Sequence, residues 1–363
     1  MNKKLNIAII GSRGYPYVYS GYETLVKELS ERMISRGHNV RVYCHNSLFK
    51  SKPKNVNGIE LIYTPSIETK FLSQFVNSLF SFIHVSFSKI DIVFVVNSAN
   101  GPFGILTKIF RKKTLINVDG LEWLRPKWKG LGGIYYKIAS KLSTILFDYV
   151  ITDSYEMKKI YQDKFNSSSF VIAYGPTVFR NENHELIESE FNLKKNNYYL
   201  IVGRLIPDNN VKLIVDGFLK SCSNKKIVVV GDVPYKDKYA DSLKKINDER
   251  LILTGYVKDP ELLSQLYNNC YSYVHGHEFG GTNPTMINAL NINCKIIALK
   301  TNFNIEMLNN KEAIYFNKDI NSVVNSFNKF EKSTSNFNNK YLLPKIYDWN
   351  YITESYIKLF KQI

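Results

Sequence analysis

The sequence lacks the features that mark several common functional classes. Its 363 residues include four cysteines, and no two of them form a C-x-x-C pair. This spacing argues against a zinc site or a disulfide framework and fits a reducing compartment. No D-x-D sequence is present, so nothing points to a divalent ion holding a diphosphate. No G-x-G-x-x-G or P-loop sequence occurs either, which disfavours dinucleotide or ATP binding.

Long hydrophobic runs are also lacking. Met1–Leu5 leads directly into an expected strand without the apolar core of a signal peptide. Phe71–Ser88 is uncharged and rich in phenylalanine, but several serines, Asn77 and His84 interrupt it. One interpretation is a transmembrane helix. The interruptions favour the other, a helix buried in the first domain or lying on its surface.

Positive charge is what the chain has in excess, with a formal net charge of +16. Such a balance implies an acidic partner, which is nucleic acid, anionic lipid or a phosphate-bearing substrate. No basic tail typical of nucleic-acid binding occurs, so nucleic acid is not expected. Aromatic residues make up 14% of the chain, and they either fill cores or form a surface that contacts sugars or a membrane.

Strand and helix patterns alternate twice along the chain, which predicts an α/β protein with two Rossmann-like parallel-sheet domains. The predicted strands include Asn6–Ile10, Tyr149–Thr152, Tyr198–Val202 and Lys226–Val230. The periodicity lapses between residues 174 and 183, where we expect the linker. The predicted first domain is 1–178 and the second 179–346. Residues 347–363 form an amphipathic C-terminal helix.

A glycine-rich turn, Gly11–Pro16, follows the first expected strand and leads through Tyr22 and Glu23 into a helix. Glycines permit close backbone approach, and a helix N-terminus favours anions. Arg13 and Gly14 make this turn a candidate for phosphate or sugar contact. The alternative is an ordinary strand-to-helix turn.

A second candidate follows a strand that ends near Val118 and contains Asp119, Glu122, Trp123 and Lys127. Carboxylates accept hydrogen bonds from sugar hydroxyls and perform acid–base chemistry. Indole rings stack on sugars, and the basic residues suit a lipid head group or pyrophosphate. A capped helix start with solvated charges remains the alternative.

The loop Gly203–Asn210 follows the first expected strand of the second domain. The guanidinium of Arg204 in this loop is able to bind a diphosphate with two parallel hydrogen bonds. The alternative is a surface loop with a solvated arginine.

The loop His275–Pro284 follows a later strand and precedes a helix over residues 285–290. The backbone N–H groups of Gly281, Thr282 and Asn283 are expected to point at a pyrophosphate docked on that helix. A plain glycine-rich turn is the alternative. The histidine pair at 275 and 277 raises the question of a metal, but no third ligand is near in sequence, so no metal is expected.

Together these stretches resemble the retaining glycosyltransferases of family 4, which have two Rossmann domains (the GT-B fold). Within that family they are similar to the rhamnosyltransferase branch that builds bacterial capsule and cell-wall polysaccharides. The resemblance implies two domains facing across a cleft, with the C-terminal helix crossing back to the first. It implies a nucleotide-diphosphate sugar donor, dTDP-rhamnose, bound by the second domain, and a lipid-linked or glycan acceptor bound by the first. No cofactor or metal is implied.

The resemblance also implies roles for individual residues. Asp119 and Arg204 are the implied catalytic residues. The implied donor-binding residues are Gly14, Arg204, Asn209, His277, Glu278, Gly281, Thr282, Asn283 and Asn288. The implied acceptor-binding residues are Arg13, Tyr22, Glu23, Glu122, Trp123 and Lys127.

One position departs from the family pattern. Asn288 stands where the superfamily has a glutamate that holds the ribose, and an uncharged amide makes a weaker hydrogen bond. Three alternatives therefore stay open: another UDP- or GDP-sugar as donor, a non-catalytic sugar-nucleotide-binding protein, or an epimerase or phosphorylase of the same architecture. A phosphorylase requires a lysine-bound pyridoxal cofactor, for which the sequence carries no signature.

The expected location is the cytoplasmic face of the cell membrane, as a peripheral protein on anionic lipid. The basic and aromatic residues between 125 and 141 suit lipid head groups, and Phe71–Phe87 adds apolar surface.

Overall fold

The computed structural model describes residues 4–16, 21–67, 69, 72–125, 128, 130–233, 236–309, 311–333 and 341–363. The chain divides into two compact units. The first comprises residues 1–174 together with 346–363, and the second comprises residues 175–345. The protein is α/β, and each unit is built on its own mainly parallel sheet.

The first unit contains an eight-stranded sheet in the order β3-β4-β2-β1-β5-β6-β7-β8. All neighbouring pairs are parallel except β3–β4. Its strands are β1 (Asn6–Ile10), β2 (Asn39–His45), β3 (Asn55–Val56), β4 (Ile59–Thr64), β5 (Ile92–Val96), β6 (Thr114–Asn117), β7 (Tyr149–Thr152) and β8 (Phe170–Val171). The central strands are continuous apolar runs because helices cover both faces of such a sheet.

The α-helices in the described part of this unit are α1 (Gly21–Ser35), α2 (Leu72–Phe87), α3 (Gly104–Ile109), α4 (Leu131–Leu146), α5 (Tyr155–Phe165) and the C-terminal α13 (Trp349–Gln362). Helix α13 packs on β5, where the rings of Phe94 and Tyr356 lie 5.1 Å apart. It also joins α1, since Nε of Arg36 lies 2.7 Å from Oε1 of Glu354. Within the described residues, no helix has the length and hydrophobicity that crossing a bilayer requires.

The second unit contains a six-stranded parallel sheet in the order β11-β10-β9-β12-β13-β14. Its strands are β9 (Tyr198–Val202), β10 (Lys226–Val230), β11 (Leu251–Gly255), β12 (Ser272–His275), β13 (Ile296–Leu299) and β14 (Ala313–Phe316). Its helices are α6 (Glu185–Phe191), α7 (Val211–Leu219), α8 (Lys238–Lys244), α9 (Pro260–Asn268), α10 (Pro284–Asn291), α11 (Asn302–Met307) and α12 (Ile320–Ser333).

The strand order determines where each unit is able to bind a ligand. In the second sheet the order reverses direction between β9 and β12, and in the first it reverses between β1 and β5. Open α/β sheets bind ligands at the carboxyl ends of the strands beside such a reversal, because the loops diverge there and leave a crevice.

Candidate functional site

Two loops of the second unit meet at the carboxyl ends of the neighbouring strands β9 and β12. Asn209, after β9, donates from Nδ2 to the carbonyl of Arg204 at 2.7 Å. Its Oδ1 lies 2.8 Å from Nδ1 of His277, in the loop after β12. Nδ2 of Asn210 donates to the carbonyl of Gly276 at 2.9 Å. The structure thus joins three predicted donor residues, Arg204, Asn209 and His277, in one hydrogen-bonded pair of loops.

The close approach of these loops requires a glycine at position 276. A Cβ atom there would lie 2.4 Å from the carbonyl oxygen of Asn209, far inside van der Waals contact. The predicted donor residue Glu278 adds a further link, because its N–H donates to the carbonyl of Asp208 at 3.0 Å. The carboxylate of Glu278 also pairs with Nζ of Lys318 at 2.6 Å.

Helix α10 begins at the end of the loop after β12. Asn283 caps it, with Oδ1 accepting the N–H of Thr285 at 3.0 Å, and Pro284 occupies the first helical position. The N–H of Asn283 points at a weak acceptor, Sδ of Met307, at 3.4 Å. With the buried residues Gly281 and Thr282 before it, this N-terminus offers backbone donors and a favourable dipole to an anion.

A chain of hydrogen bonds fixes the state of His275, the last residue of β12. Asn283 Oδ1 accepts the hydroxyl of Thr285, whose oxygen accepts the hydroxyl of Tyr273. The oxygen of Tyr273 lies 3.0 Å from Nδ1 of His275 and has no proton left to donate, so Nδ1 carries the proton. Nε2 is buried without a hydrogen-bond partner among the described residues. Burial lowers the pKa of His275 to about 3.

Asn288 lies in α10 and is already engaged within the second unit. Its Oδ1 accepts the N–H groups of Thr177 and Val178 at 2.8 and 3.2 Å, and only 5% of the residue is exposed. The amide therefore holds the segment that enters this unit. Its predicted contact with a ribose stays a prediction.

Asp119 follows β6 in the first unit. The hydroxyl of Tyr174 donates to its Oδ2 at 3.1 Å, and the hydroxyl of Tyr22 donates to its backbone carbonyl at 2.6 Å. Desolvation raises the pKa of the Asp119 carboxyl, and the charge of Arg125 and hydrogen bonds with Tyr174 and Asp153 oppose that rise. The carboxyl thus holds its proton to a higher pH than an exposed aspartate does.

The turn after β1 is held from within the first unit. Glu23 is 3% exposed, and its Oε1 accepts the N–H of Arg13 at 3.0 Å and lies 3.9 Å from the guanidinium. Gly14 has a φ of +124°, and a Cβ there would lie 2.8 Å from Cβ of Cys44. The structure therefore gives Glu23 and Gly14 roles in shaping the turn. Their predicted contacts with acceptor and donor are untested.

Two predicted acceptor residues after β6 make contacts within the loop and its surroundings. Oε1 of Glu122 pairs with Nε of Arg125 at 3.1 Å, and Oε2 accepts the indole N–H of Trp128 at 2.6 Å. Trp123 packs edge-on against Phe165, with ring centroids 5.8 Å apart. These contacts stabilise the loop that presents Asp119.

Other residues at this site were not predicted. Asn117 donates from Nδ2 to the hydroxyl of Tyr356 at 3.2 Å, and its Oδ1 lies 3.3 Å from the hydroxyl of Tyr174, whose one proton is shared between Asn117 and Asp119 as acceptors. A polar residue at the end of an apolar strand was a signal for Asn117. Tyr174 and Tyr356 are distant from Asn117 in sequence, and no sequence signal indicated that they contact it. Lys127, a predicted acceptor residue, lies outside the described residues.

Two family models match the chain. Residues 4–177 match DUF1972, a domain of unknown function, and residues 183–341 match glycosyl transferases group 1. A curated Klebsiella pneumoniae protein, described as an uncharacterized 42.6 kDa protein in the cps region, is 34% identical over 61 residues. That match spans 17% of this chain and 16% of the Klebsiella protein.

Solved structures with the same fold cover nearly the whole chain. Sucrose-phosphate synthase from Thermosynechococcus elongatus has a TM-score of 0.81 at 14% identity, over 99% of both chains. Anabaena HepE in complex with UDP and glucose has a TM-score of 0.77 at 13% identity, over 99% of this chain and 100% of that one. A glycosyltransferase from Rickettsia africae has a TM-score of 0.73 at 15% identity, over 100% and 99%.

The chain therefore has the GT-B fold, with two parallel-sheet domains. Its second unit matches the glycosyl transferases group 1 model, and that match includes both loops at the β9–β12 reversal.

Proposed function

We propose that this protein is a glycosyltransferase that moves L-rhamnose from dTDP-rhamnose, with retention, onto a lipid-linked or cell-envelope polysaccharide acceptor. The observation that carries the proposal is the pair of hydrogen-bonded loops that joins the loop of Arg204 to the loop leading into α10 at the sheet reversal. Two comparisons support it. A protein of the same fold was solved with UDP and glucose, and the Klebsiella relative is encoded in a cps region.

The proposed chemistry needs mainly stabilisation of the leaving diphosphate. The bond between C1 of the sugar and the diphosphate oxygen breaks, and an acceptor hydroxyl bonds to C1 on the same face. The proton of that hydroxyl passes to the leaving phosphate oxygen. Arg204 and the backbone donors around Gly281, Thr282 and Asn283 stabilise the charge that develops on the diphosphate. No metal enters this scheme.

The first unit supplies the acceptor side in this proposal. Asp119 accepts a hydrogen bond from the incoming hydroxyl, and Tyr22 and Tyr174 hold its backbone and its carboxyl in position. Because a lipid-linked acceptor stays in the bilayer, the proposal places the enzyme on the cytoplasmic face of the membrane as a peripheral protein.

A panel of dTDP-, UDP- and GDP-sugars in a thermal-shift measurement tests the donor. Ligand binding at a hundredfold excess over Kd stabilises the folded protein by about 2.7 kcal/mol, which is readily visible as a shift. We expect the largest shift with dTDP-rhamnose. A larger shift with a UDP- or GDP-sugar contradicts the choice of donor but leaves the transferase class intact.

A non-catalytic sugar-nucleotide-binding protein is the second candidate. The uncharged Asn288 favours it, since its side chain is engaged with Thr177 and Val178. Slow release of dTDP from dTDP-rhamnose distinguishes the two, because an enzyme hydrolyses its donor slowly and a binding protein does not. Donor binding without any dTDP release, with acceptor extracts present or absent, contradicts the proposed activity.

A further inference from the structure

Helix α2 buries mostly polar residues, with Phe82 and Val85 among them, and turns most of its large apolar residues outward. Asn77, Ser78 and Ser81 on its buried face are held by hydrogen bonds to Thr64 and Asn100. Its exposed large apolar side chains are Leu72, Phe75, Phe80, Ile83 and Phe87, with exposed fractions of 40–73%. A helix packed on a soluble domain has the opposite pattern, because its apolar stripe faces the core.

Helix α4 is inverted in the same way. Its buried residues are small: Ala139, Ser140 and Ser143. Its exposed apolar side chains recur at helical spacing and are Leu131, Ile134, Tyr135, Ile138 and Ile145, between 37% and 84% exposed. The small buried face lets the helix lie close to the loop after β5, where a Cβ on Gly101 would meet the carbonyl oxygen of Ala139 at 2.0 Å.

Helix α3 joins these two helices into one surface. Nζ of Lys108 donates to the carbonyl of Ile145 at the end of α4, at 3.0 Å. The ring of Phe110, just after α3, lies 4.7 Å from the ring of Phe87 at the end of α2. Ile109 between them is 65% exposed. We call the outward side of α2, α3 and α4 the apolar face.

The charges on and around the apolar face are mainly positive. The exception is the exposed Asp148, two residues after α4, whose carboxylate accepts the N–H of Thr114 at 2.7 Å. None of the three helices contains an aspartate or a glutamate. Exposed basic residues lie on the helices or directly after them: Lys89, Lys108, Arg111, Lys113, Lys137 and Lys141. A two-fold dimer through this face would set these cations against their own copies, which disfavours a second copy of the chain as the occupant.

We propose that the apolar face docks on an anionic lipid bilayer. The exposed apolar side chains enter the interface between head groups and acyl chains, and the surrounding lysines and arginines contact anionic head groups. The face lies within the first unit, so binding through it does not require the transferase activity proposed above.

Co-sedimentation of the full chain with vesicles tests the proposal. Vesicles of phosphatidylcholine alone are compared with vesicles that contain about 30% phosphatidylglycerol, at about 0.1 M and about 0.5 M salt. We expect the wild type to pellet with the anionic vesicles, and less of it to pellet at the higher salt. Failure to pellet with anionic vesicles at low salt overturns the proposal.

Two variants separate the apolar and the charged contributions. Leu131→Ser with Ile134→Ser and Ile138→Ser should weaken partitioning by about tenfold for each side chain that enters the interface. Lys137→Gln with Lys141→Gln should weaken it by about fivefold for each charge. The matched control is Leu342→Ser in the second unit, because Leu342 is 85% exposed and Leu131 is 84% exposed. Wild-type pelleting of the triple variant overturns the proposal.

A fluorescent label gives a gain of signal that does not depend on a disruptive variant. Cys222 is the exposed cysteine, and the other three are buried. In a Cys222→Ser background, an environment-sensitive dye at Leu131→Cys should shift its emission to the blue on anionic vesicles. The same dye at Leu342→Cys should not. Equal shifts at both positions, or no shift at Leu131→Cys while the protein pellets, overturn the proposal.

Two controls distinguish lipid binding from self-association and from donor binding. Lipid-free protein that is dimeric as wild type and monomeric as the triple variant would make the apolar face a self-association surface and overturn the proposal. The thermal shift with dTDP-rhamnose should be the same in the triple variant and the wild type. Vesicle binding without any nucleotide-sugar binding leaves the apolar face supported and contradicts the proposed function alone.

Discussion

The two units cover their sheets with helices of opposite character. In the second unit, α7 and α12 bury large apolar side chains such as Val211, Ile214, Phe218 and Phe327 in one core. In the first unit, α2 and α4 bury mostly small or polar residues and expose most of their large apolar ones, Phe82 and Val85 of α2 being buried. Among the described residues, fourteen exposed large hydrophobic side chains lie between 72 and 145, and four lie in the second unit.

This contrast shows that the buried strands reflect the core of each unit, whereas the exposed surfaces of the helices reflect its surroundings. Both sheets contain buried apolar strands, namely β5 in the first unit and β10 from Ile227 to Val230 in the second, so both units fold around the same kind of core. The polarity of the outer helix surfaces depends instead on whether water or another partner contacts each unit. A large exposed apolar surface marks an interaction site, because water is a poor environment for it.

The largest expected effect tests whether the second unit carries the diphosphate chemistry. Arg204→Ala should lower the rate of sugar transfer by roughly a hundredfold or more, about 3 kcal/mol of lost charge stabilisation. The control is Arg180→Ala, which removes an exposed arginine of the same unit and should leave the rate near wild type. Steady-state kinetics with the donor that the panel selects measures both. Near-wild-type turnover of Arg204→Ala would contradict the proposal that Arg204 stabilises the leaving diphosphate.

The next effect compares how closely helices pack in the two units. An alanine at Gly101 would place Cβ 2.0 Å from the backbone oxygen of Ala139, and an alanine at Gly217 would first meet the side chain of Val323, at 2.4 Å. Gly101→Ala should therefore cost roughly 3 kcal/mol, since backbone cannot move as a side chain can. Gly217→Ala should also be destabilising, since its Cβ would lie 2.7 Å from Cβ of Val323, but it should cost about 1 kcal/mol less than Gly101→Ala because alanine favours the helix. Urea unfolding of both variants measures these costs. Equal losses in the free energy of unfolding would contradict the close packing of α4.

Acid should destabilise the second unit through His275. Its pKa is lowered to about 3 in the folded chain from an ordinary value of 6.5, so its contribution to stability is present above pH 6.5 and is lost as the pH falls. By about pH 5 the loss should reach about 2 kcal/mol. His275→Gln should lack this loss, which urea unfolding near pH 7.5 and near pH 5 measures. In NMR spectra, His275 should stay in the Nδ1–H form throughout. Protonation of the His275 imidazole between pH 5 and 8 would contradict the hydrogen-bond chain that runs from Asn283 to His275.

Asp119 in the first unit should respond to acid with the opposite sign. Because desolvation raises its pKa in the folded protein, the charged carboxylate disfavours folding at neutral pH, and the disadvantage disappears as the pH falls and the group is protonated. Asp119→Asn should therefore gain stability relative to wild type at pH 7 and lose that gain in acid. The same variant should transfer sugar more slowly, since Asn accepts the acceptor hydroxyl less strongly. Parallel thermal unfolding curves and rates at several pH values measure both.

Sequence periodicity predicted the strands that are buried on both faces. The bounds of β1, β7, β9 and β10 were predicted correctly, because apolar runs between turn residues carry a local signal. Helix α4 was not predicted. Its 131–146 segment has helical spacing, but its basic and aromatic residues suggested a head-group surface instead of a secondary structure.

At the site, sequence reasoning selected the loops but not what their side chains contact. Arg204, Asn209 and His277 were predicted from separate loops, and the pairing of β9 with β12 brings them together. Asn288 was predicted for its position on α10. Its contact with Thr177 and Val178 depends on the path of the chain into the second unit, and no local pattern contains that path.

Local sequence was enough to specify the fold class, the two repeated strand-and-helix patterns, the excess of positive charge and the candidate phosphate-binding loops. These follow from periodicity and from the chemistry of single residues, which neighbouring positions in the chain already contain. Three further features required the folded chain: the apolar stripes of α2 and α4 face outward, Nε2 of His275 is buried, and Tyr174 and Tyr356 meet beside Asp119 and Asn117. Each depends on contacts between residues distant in sequence, and folding creates those contacts by burying one face of every element against a particular partner.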